Sequence, residues 1–152
     1  MTIEVVALEP KHRDGWLAMW AGYLTFYKED LPDAQTELTW QRLLDPSFNL
    51  NGFVAVREGE VVGLTKYSWT NSTWDEHPNI YLEDLFVDEK LRGAGIGRLL
   101  IDAVTHVAHA RGSKRVHWIT HNTNATARKL YDQVAELSEF VMYDRAVEEN
   151  QA

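Results

Sequence analysis

Polar and apolar residues alternate from Thr2 to Leu8, a strand pattern that Pro10 stops. From Asp14 to Tyr27 the spacing changes, with Trp16, Leu17, Trp20, Tyr23, Leu24 and Tyr27 recurring every three or four residues, and an aromatic helix is predicted. Leu31-Pro32-Asp33 interrupts it. Gln35 to Leu44 predicts a second short helix that stops before Pro46, because proline disfavours helical backbone in the residue before it. Gly52 to Arg57 and Val61 to Trp69 read as strands joined at Glu58-Gly59-Glu60, where Gly59 supplies a hairpin turn. After the polar stretch Thr70 to Pro78, the run Asn79 to Val87 reads as a mostly buried central strand, its apolar residues becoming nearly continuous at the end. From Ile96, the set Leu99, Leu100, Ala103, Val104, Val107 and Ala108 keeps helical rhythm, with Arg98, Asp102, His106 and His109 off the stripe. Gly112 ends that helix. Arg115 to Thr120 predicts another strand, Asn122 to Val134 a helix opening among Asn and Thr caps, and Phe140 to Ala146 a last strand. The strand–helix–strand unit from Asn79 to Thr120 implies a parallel neighbour reached by a right-handed crossover. The fold class expected is α/β (α+β) around one mixed sheet.

Length and composition narrow the picture. The chain has 152 residues, 45% hydrophobic and 25% charged, and is read as a single domain over residues 1–152 with enough apolar material for a core. Its formal charge of −8 repels phosphate backbones and anionic lipid surfaces, so neither nucleic acid nor membrane is an expected partner and cationic ligands are favoured. With 0 Cys there is no disulfide framework, thiolate zinc site or cysteine nucleophile. The opening residues lack a basic region followed by an apolar one, and no run of ~18 apolar residues occurs, so a cytoplasmic protein is expected.

The segment Glu83-Asp84-Leu85-Phe86-Val87-Asp88-Glu89-Lys90-Leu91-Arg92-Gly93-Ala94-Gly95-Ile96-Gly97 carries the chemistry. Glycines at the start of a long helix leave backbone N–H groups uncovered where the helix dipole is positive, and Arg92 adds a permanent cation, so the turn suits a pyrophosphate. A dinucleotide fingerprint starting at Gly93 or Gly95 would put its third glycine on Arg98 or Leu100, and it fails. A Gly-Lys pair followed by Ser or Thr occurs nowhere, so a nucleotide-triphosphate loop fails too. What fits is Arg92-x-x-Gly95-x-Gly97, and at this motif the chain resembles the GNAT superfamily of acetyl-CoA-dependent N-acetyltransferases. The resemblance runs in order from residue 79 to residue 134, through Trp118 to Ala125 and Arg128-Lys129-Leu130-Tyr131. Tyr81 to Val87 is similar to the spermidine/spermine acetyltransferases, and Leu130 to Ala135 to the yeast-type histone and polyamine enzymes. One position departs: members usually carry Gly before the Phe that opens the closing strand, whereas this chain has Glu139-Phe140.

The resemblance implies a mostly antiparallel sheet with one splayed parallel strand pair, flanked by about four helices. It implies acetyl-CoA as co-substrate, with Leu85, Phe86 and Val87 along the pantetheine, Arg92, Gly93, Ala94, Gly95, Ile96, Gly97 and Arg98 around the pyrophosphate, and Asn124 and Tyr131 at the cofactor arm. An alkylamine with a pKa of ~10.4 arrives protonated and must lose a proton before it attacks. Glu83 is the expected base, directly or through water, and Tyr131 the family tyrosine that protonates the departing thiolate. Simple alternation puts Glu83 on one face with Leu85 and Val87 and sends Asp84 to the other, in a surface or capping role.

The resemblance implies that the first helices and the loop before the fourth strand shape the acceptor pocket, which here would bring Tyr27, Glu29, Asp30, Trp69, Trp74, Asp75 and Glu76, with His121 as a polar wall or auxiliary proton carrier. Aromatic faces with carboxylates suit a polyamine or lysine-like amine. The alternative, that Trp16, Trp20 and Tyr23 are core and the acids a solvated face, stays open. His106, His109 and the trio Asp75-Glu76-His77 lack further ligands at a recognisable spacing, so no metal is expected. A non-catalytic acyl-CoA-binding module of the same fold is the alternative function, although it has no need of Glu83 and Tyr131. A homodimer through the sheet edge or last strand is expected from the resemblance.

Overall fold

The computed structural model describes residues 2–149. The chain divides into two compact units, residues 1–119 and 120–152. The first holds β1 (Ile3–Ala7), α1 (Arg13–Phe26), α2 (Asp33–Leu44), β2 (Asn51–Arg57), β3 (Glu60–Thr70), β4 (Asn79–Val87), α3 (Ile96–Ala110) and β5 (Val116–His117). The sheet order is β1-β2-β3-β4-β5, antiparallel throughout except for the parallel β4–β5 pair, which joins only at Ile80–Val116 and Tyr81–His117. Beyond those two rungs β4 runs on to Val87 paired with β3 and without β5. The parallel neighbour expected across α3 is present, as a shorter strand than the sequence pattern suggested.

Both faces of the sheet are covered. On one, Trp16, Trp20, Trp40 and Leu43 from α1 and α2 pack on Val54, Leu64 and Phe86; on the other, Ile96 and Leu100 of α3 pack on Ala55 and Val62. Two-sided burial explains why β3 reads as apolar in both registers. The β2–β3 hairpin closes with a two-residue loop in which Glu58 (φ 51°) and Gly59 (φ 81°) both take positive φ, the signature of a type I′ turn. Gly59 accepts this conformation freely, and Glu58 does so under strain.

One irregularity shapes everything that follows. In the β3–β4 register, Thr65 faces Leu85 and Lys66 faces Glu83, so Asp84 is an extra residue, a β-bulge with φ 59°. The bulge overturns the alternation expected from sequence: Glu83 and Leu85 lie on opposite faces, Glu83 sharing the α1 side with Phe86 while Leu85 and Val87 pack toward α3.

In the second unit, α4 (Ala125–Val134) is capped by Asn124, whose side-chain oxygen accepts from the Ala127 N–H at 3.4 Å. The last strand expected over Phe140 to Ala146 does not form: residues 135–149 carry no helix or strand. Phe140, Val141, Met142 and Tyr143 stand exposed, Tyr143 at 91%. A β-rich pattern supplies propensity but not the neighbouring strand that pairing requires. Among the described residues no helix is long and apolar enough to cross a membrane.

Candidate functional site

A cavity of about 340 Å³ opens in the first unit between α1, α2 and the middle of the sheet. Its apolar wall comes from Trp20, Leu24, Leu31 and Leu50, and its polar wall from Tyr23, Glu29, Thr39, Lys66, Glu83 and Asp84. The helical rhythm read from sequence puts Trp16, Trp20 and Tyr23 on one stripe of α1. The stripe forms a stack, Trp16 to Trp20 at 5.8 Å and Trp20 to Tyr23 at 4.9 Å between ring centroids. Trp16 is core, whereas Trp20 and Tyr23 are both core and cavity wall. The core reading thus holds for Trp16, while Trp20 and Tyr23 also face the cavity, a place the sequence suggests for Tyr27, Trp69 and Trp74 instead.

Against that wall stands a buried ion pair. Lys66 is 3% exposed, and its Nζ lies 2.7 Å from Asp84 Oδ2 and 3.3 Å from the centroid of the Trp20 ring. Asp84 Oδ1 accepts from the Tyr23 hydroxyl, and the Asp84 carbonyl accepts from Thr65 Oγ1 at 2.8 Å. Burial pushes the Lys66 ammonium below the usual lysine range, against the opposing pull of Asp84 and Glu83. Burial, and then the bond to Asp84, drives the Tyr23 phenol well above its ordinary value. This corrects the surface or capping role expected of Asp84: the bulge folds its carboxylate inward, where only a partnered charge is tolerated.

Glu83 sits beside this pair with no hydrogen bond or ion pair of its own among the described residues. Partial burial raises its carboxyl pKa above the ordinary value, the negative charge of Asp84 adds to that, and Lys66 partly offsets it. Tyr81, two residues earlier, is raised by burial and then by the charge of Glu83.

Of the other acceptor-side residues, Glu29 reaches the cavity wall, while the Tyr27 ring meets that of Tyr23 at a tilt of 47°, 4.7 Å between centroids, and does not line the cavity. Trp69 and Trp74 are elsewhere: Trp69 lies under the Arg111 guanidinium, and Trp74 is 87% exposed. Asp75 accepts from the Asn79 side chain, and neither it nor Glu76 lines the cavity. His121, Asn124 and Tyr131 belong to the second unit, Asn124 as the cap of α4 and Tyr131 within it.

The glycine turn leads into α3. Gly93 (φ 88°) and Gly95 (φ 83°) take the left-handed conformation, and a Cβ at either would meet nothing within 4 Å. Gly95 is the N-cap of α3, and no side chain caps the helix, so the N–H groups of Ile96, Gly97 and Arg98 have no intrahelical acceptor. Arg92 leans away from the turn, its guanidinium 4.8 Å from the Phe26 ring and 5.4 Å from that of Phe86, with Nε 3.4 Å from the Val87 carbonyl. Among the described residues, no three His, Asp or Glu side chains are grouped to hold a metal.

Sequence reasoning passed over Lys66, Asp84 and Tyr23. The signal available was Lys66 itself, a lone cation inside a strand apolar on both faces, which has to find a buried carboxylate.

A mixed sheet with one short parallel strand pair thus stands beside a glycine-rich helix start and a cavity with an uncommitted carboxylate. The acetyltransferase (GNAT) family pattern matches residues 16–135, and the chain belongs to that family. It is 34% identical over 145 residues to the D-amino-acid N-acetyltransferase HPA3 of Saccharomyces cerevisiae, covering 94% of this chain and 90% of that protein. It is 25% identical over 131 residues to a thialysine N-epsilon-acetyltransferase of Caenorhabditis elegans, covering 86% and 81%. Among solved structures, aminoglycoside N-acetyltransferase AAC(6')-Iy in complex with CoA shares the fold at a TM-score of 0.82 and 21% identity, over 95% of each chain.

Proposed function

We propose that the protein transfers the acetyl group of acetyl-CoA to the primary amine of a small acceptor, a polyamine, a lysine-like compound or an amino acid, by direct attack in a ternary complex. The observation that carries this reading is Glu83: a carboxylate on the wall of an aromatic and acidic cavity, paired with nothing, raised toward the pH range in which it exchanges protons. The names of the yeast and nematode relatives make D-amino acids and thialysine the first acceptors to try.

The glycine turn fits acetyl-CoA. Open space above Gly93 and Gly95 would be filled by any side chain, and the first N–H groups of α3 lack a side-chain cap. Residues 92–98 would hold the pyrophosphate, with Arg92 turning from Phe26 to meet it, and Leu85, Phe86 and Val87 the pantetheine. When bound there, acetyl-CoA supplies an activated acyl carbonyl. The chain's own residues manage protons and position. Glu83 Oε takes a proton from the acceptor ammonium, directly or through water; Trp20, Tyr23 and Glu29 hold the acceptor's cationic and apolar parts. No covalent acetyl-enzyme on sulfur is available, because the chain has 0 Cys.

The homodimer and the cytoplasmic location belong to the same reading. The exposed apolar run Phe140 to Tyr143 is surface that a second copy would cover, and a cysteine-free composition suits a reducing compartment. A monomeric mass in light scattering would count against the dimer.

The deciding experiment follows thiol release from acetyl-CoA against a panel of D- and L-amino acids, thialysine and polyamines, with calorimetry of acetyl-CoA alongside. Saturable, amine-dependent release is expected. Acetyl-CoA binding without release on any amine would favour the acyl-CoA-binding module, and no binding would reject both.

A further inference from the structure

β4 presents two adjacent carboxylates to one cavity, and they are treated in opposite ways. Both Asp84 oxygens are spent, one on Tyr23 and one on Lys66, and its backbone carbonyl is spent on Thr65. Glu83 is held by none of these. Without the bulge at Asp84 the two side chains would point to opposite faces, as alternation dictates. The left-handed backbone of Asp84, unfavourable for any residue but Gly and tolerated by Asp or Asn, therefore has to be held in place by something.

We propose that Lys66 and Asp84 form a positioning pair for the acceptor site: their ion pair, seated on Trp20 and clamped by Tyr23, pins the β4 bulge that turns Glu83 into the cavity and keeps it as the uncommitted carboxylate. The inference rests on the reading of Glu83 as the base, and it adds two residues that act through it. Lys66 cancels the charge of Asp84, and Glu83 can then ionise beside a neighbouring acid. The groups facing Glu83 are Lys66 from β3, Asp84 and Tyr81 from β4, Tyr23 from α1 and Glu29 from the segment after α1. Lys66 is the only cation among them, so removing it leaves Glu83 among acids and phenols alone.

The two partners carry opposite charges, and their removal must act in opposite directions. In Lys66→Met an uncancelled Asp84 disfavours ionised Glu83, so the acid limb of kcat/KM moves up by about one pH unit or more, and kcat/KM at a pH below the limb falls about tenfold. In Asp84→Asn the limb moves down. Lys66→Arg keeps the charge and leaves the limb near its wild-type position.

The same titration is read without turnover from the Glu83 carboxyl carbon signal in NMR of the free enzyme. Opposite displacements in the two single variants sustain the proposal. Unmoved limbs, or limbs displaced in the same direction, overturn it and mark the pair as packing only. Should one variant fail to fold, the direction of the other decides by itself. Loss of amine turnover in the wild-type protein would sink the function proposed above, and the NMR titration would still judge this pair.

Discussion

Gly15 and Gly22 lie two turns apart on α1, so they share a face of the helix, and each touches a different strand. A Cβ on Gly15 would stand 2.7 Å from both Cβ and Cγ2 of Val61 on β3, and one on Gly22 would stand 3.0 Å from the Phe86 ring on β4. The two positions seat the helix close enough for Trp20 to cover Lys66 and for Tyr23 to reach Asp84. Gly15→Ala sets two known effects against each other. Alanine is favoured over glycine inside a helix by at most ~1 kcal/mol, while forcing an extra carbon into a packed seam costs ~1–3 kcal/mol, in the upper part of that range, ~2–3 kcal/mol, at a 2.7 Å approach, so a net loss of about 1–2 kcal/mol is expected. Val61 is β-branched and paired with Val56 across the β2–β3 hairpin, and its side chain has few rotamers to escape into. The denaturant midpoint should fall, and Tm should drop by roughly 2–4 °C per kcal/mol for a chain of this size. The amine KM should rise with it, since α1 carries the aromatic wall, and acetyl-CoA affinity should hold. A Gly15→Ala protein as stable as wild type, or more stable, would falsify the close-approach argument.

Glu83→Gln should lower kcat by roughly 10²–10⁴ while leaving acetyl-CoA binding intact, as removal of a general base does; steady-state kinetics with calorimetry checks both. The same substitution has a stability sign. Because Glu83 is raised in the folded chain, ionised Glu83 is disfavoured relative to its unfolded state, so the variant should be more stable than wild type at neutral pH, with the gap closing as pH falls and Glu83 protonates. Wild-type kcat/KM should for the same reason lose activity on acidification at a pH above that of an ordinary Glu, and a limb at the ordinary value would remove desolvation from the account. Gly95→Ala places a Cβ in left-handed backbone at φ 83°, which costs ~1–2 kcal/mol, and the strain should appear as weakened acetyl-CoA binding in calorimetry. At the hairpin, Glu58→Asn should raise stability by ~0.5–1 kcal/mol in urea unfolding, since Asn accepts φ 51° with less strain; no gain would mean the turn opens in solution.

The elements that sequence pattern placed well are those whose burial is set by their own periodicity. α3 carries its apolar stripe on one side and β4 its apolar run at one end, and both stand within a residue or two of where the pattern put them. β5 and the missing last strand fail for one shared reason. A strand is defined by its neighbour, and residues 115–120 and 140–146 have the composition of strands but not the full set of rungs.

The site divides the same way. The glycine turn was legible because its chemistry is local: positive φ, an uncapped helix start and an arginine lie within a few residues of each other. Glu83 was legible through its place in a family motif. Lys66, Asp84 and Tyr23 were not, because they meet across 18 and 61 positions of chain and only after one extra residue breaks the alternation of β4. Period-two reasoning assigns a face to every residue of a strand, and a bulge inverts the assignment for all residues beyond it. The rule thus fails at the point where the strand stops serving the core and starts presenting a carboxylate. Two consecutive acids followed by apolar residues in a central strand, with a lone lysine on the strand before, form a pattern that alternation cannot satisfy without burying an unpaired charge. That conflict, visible in the residues themselves, is the signal that a bulge and a buried ion pair must exist there.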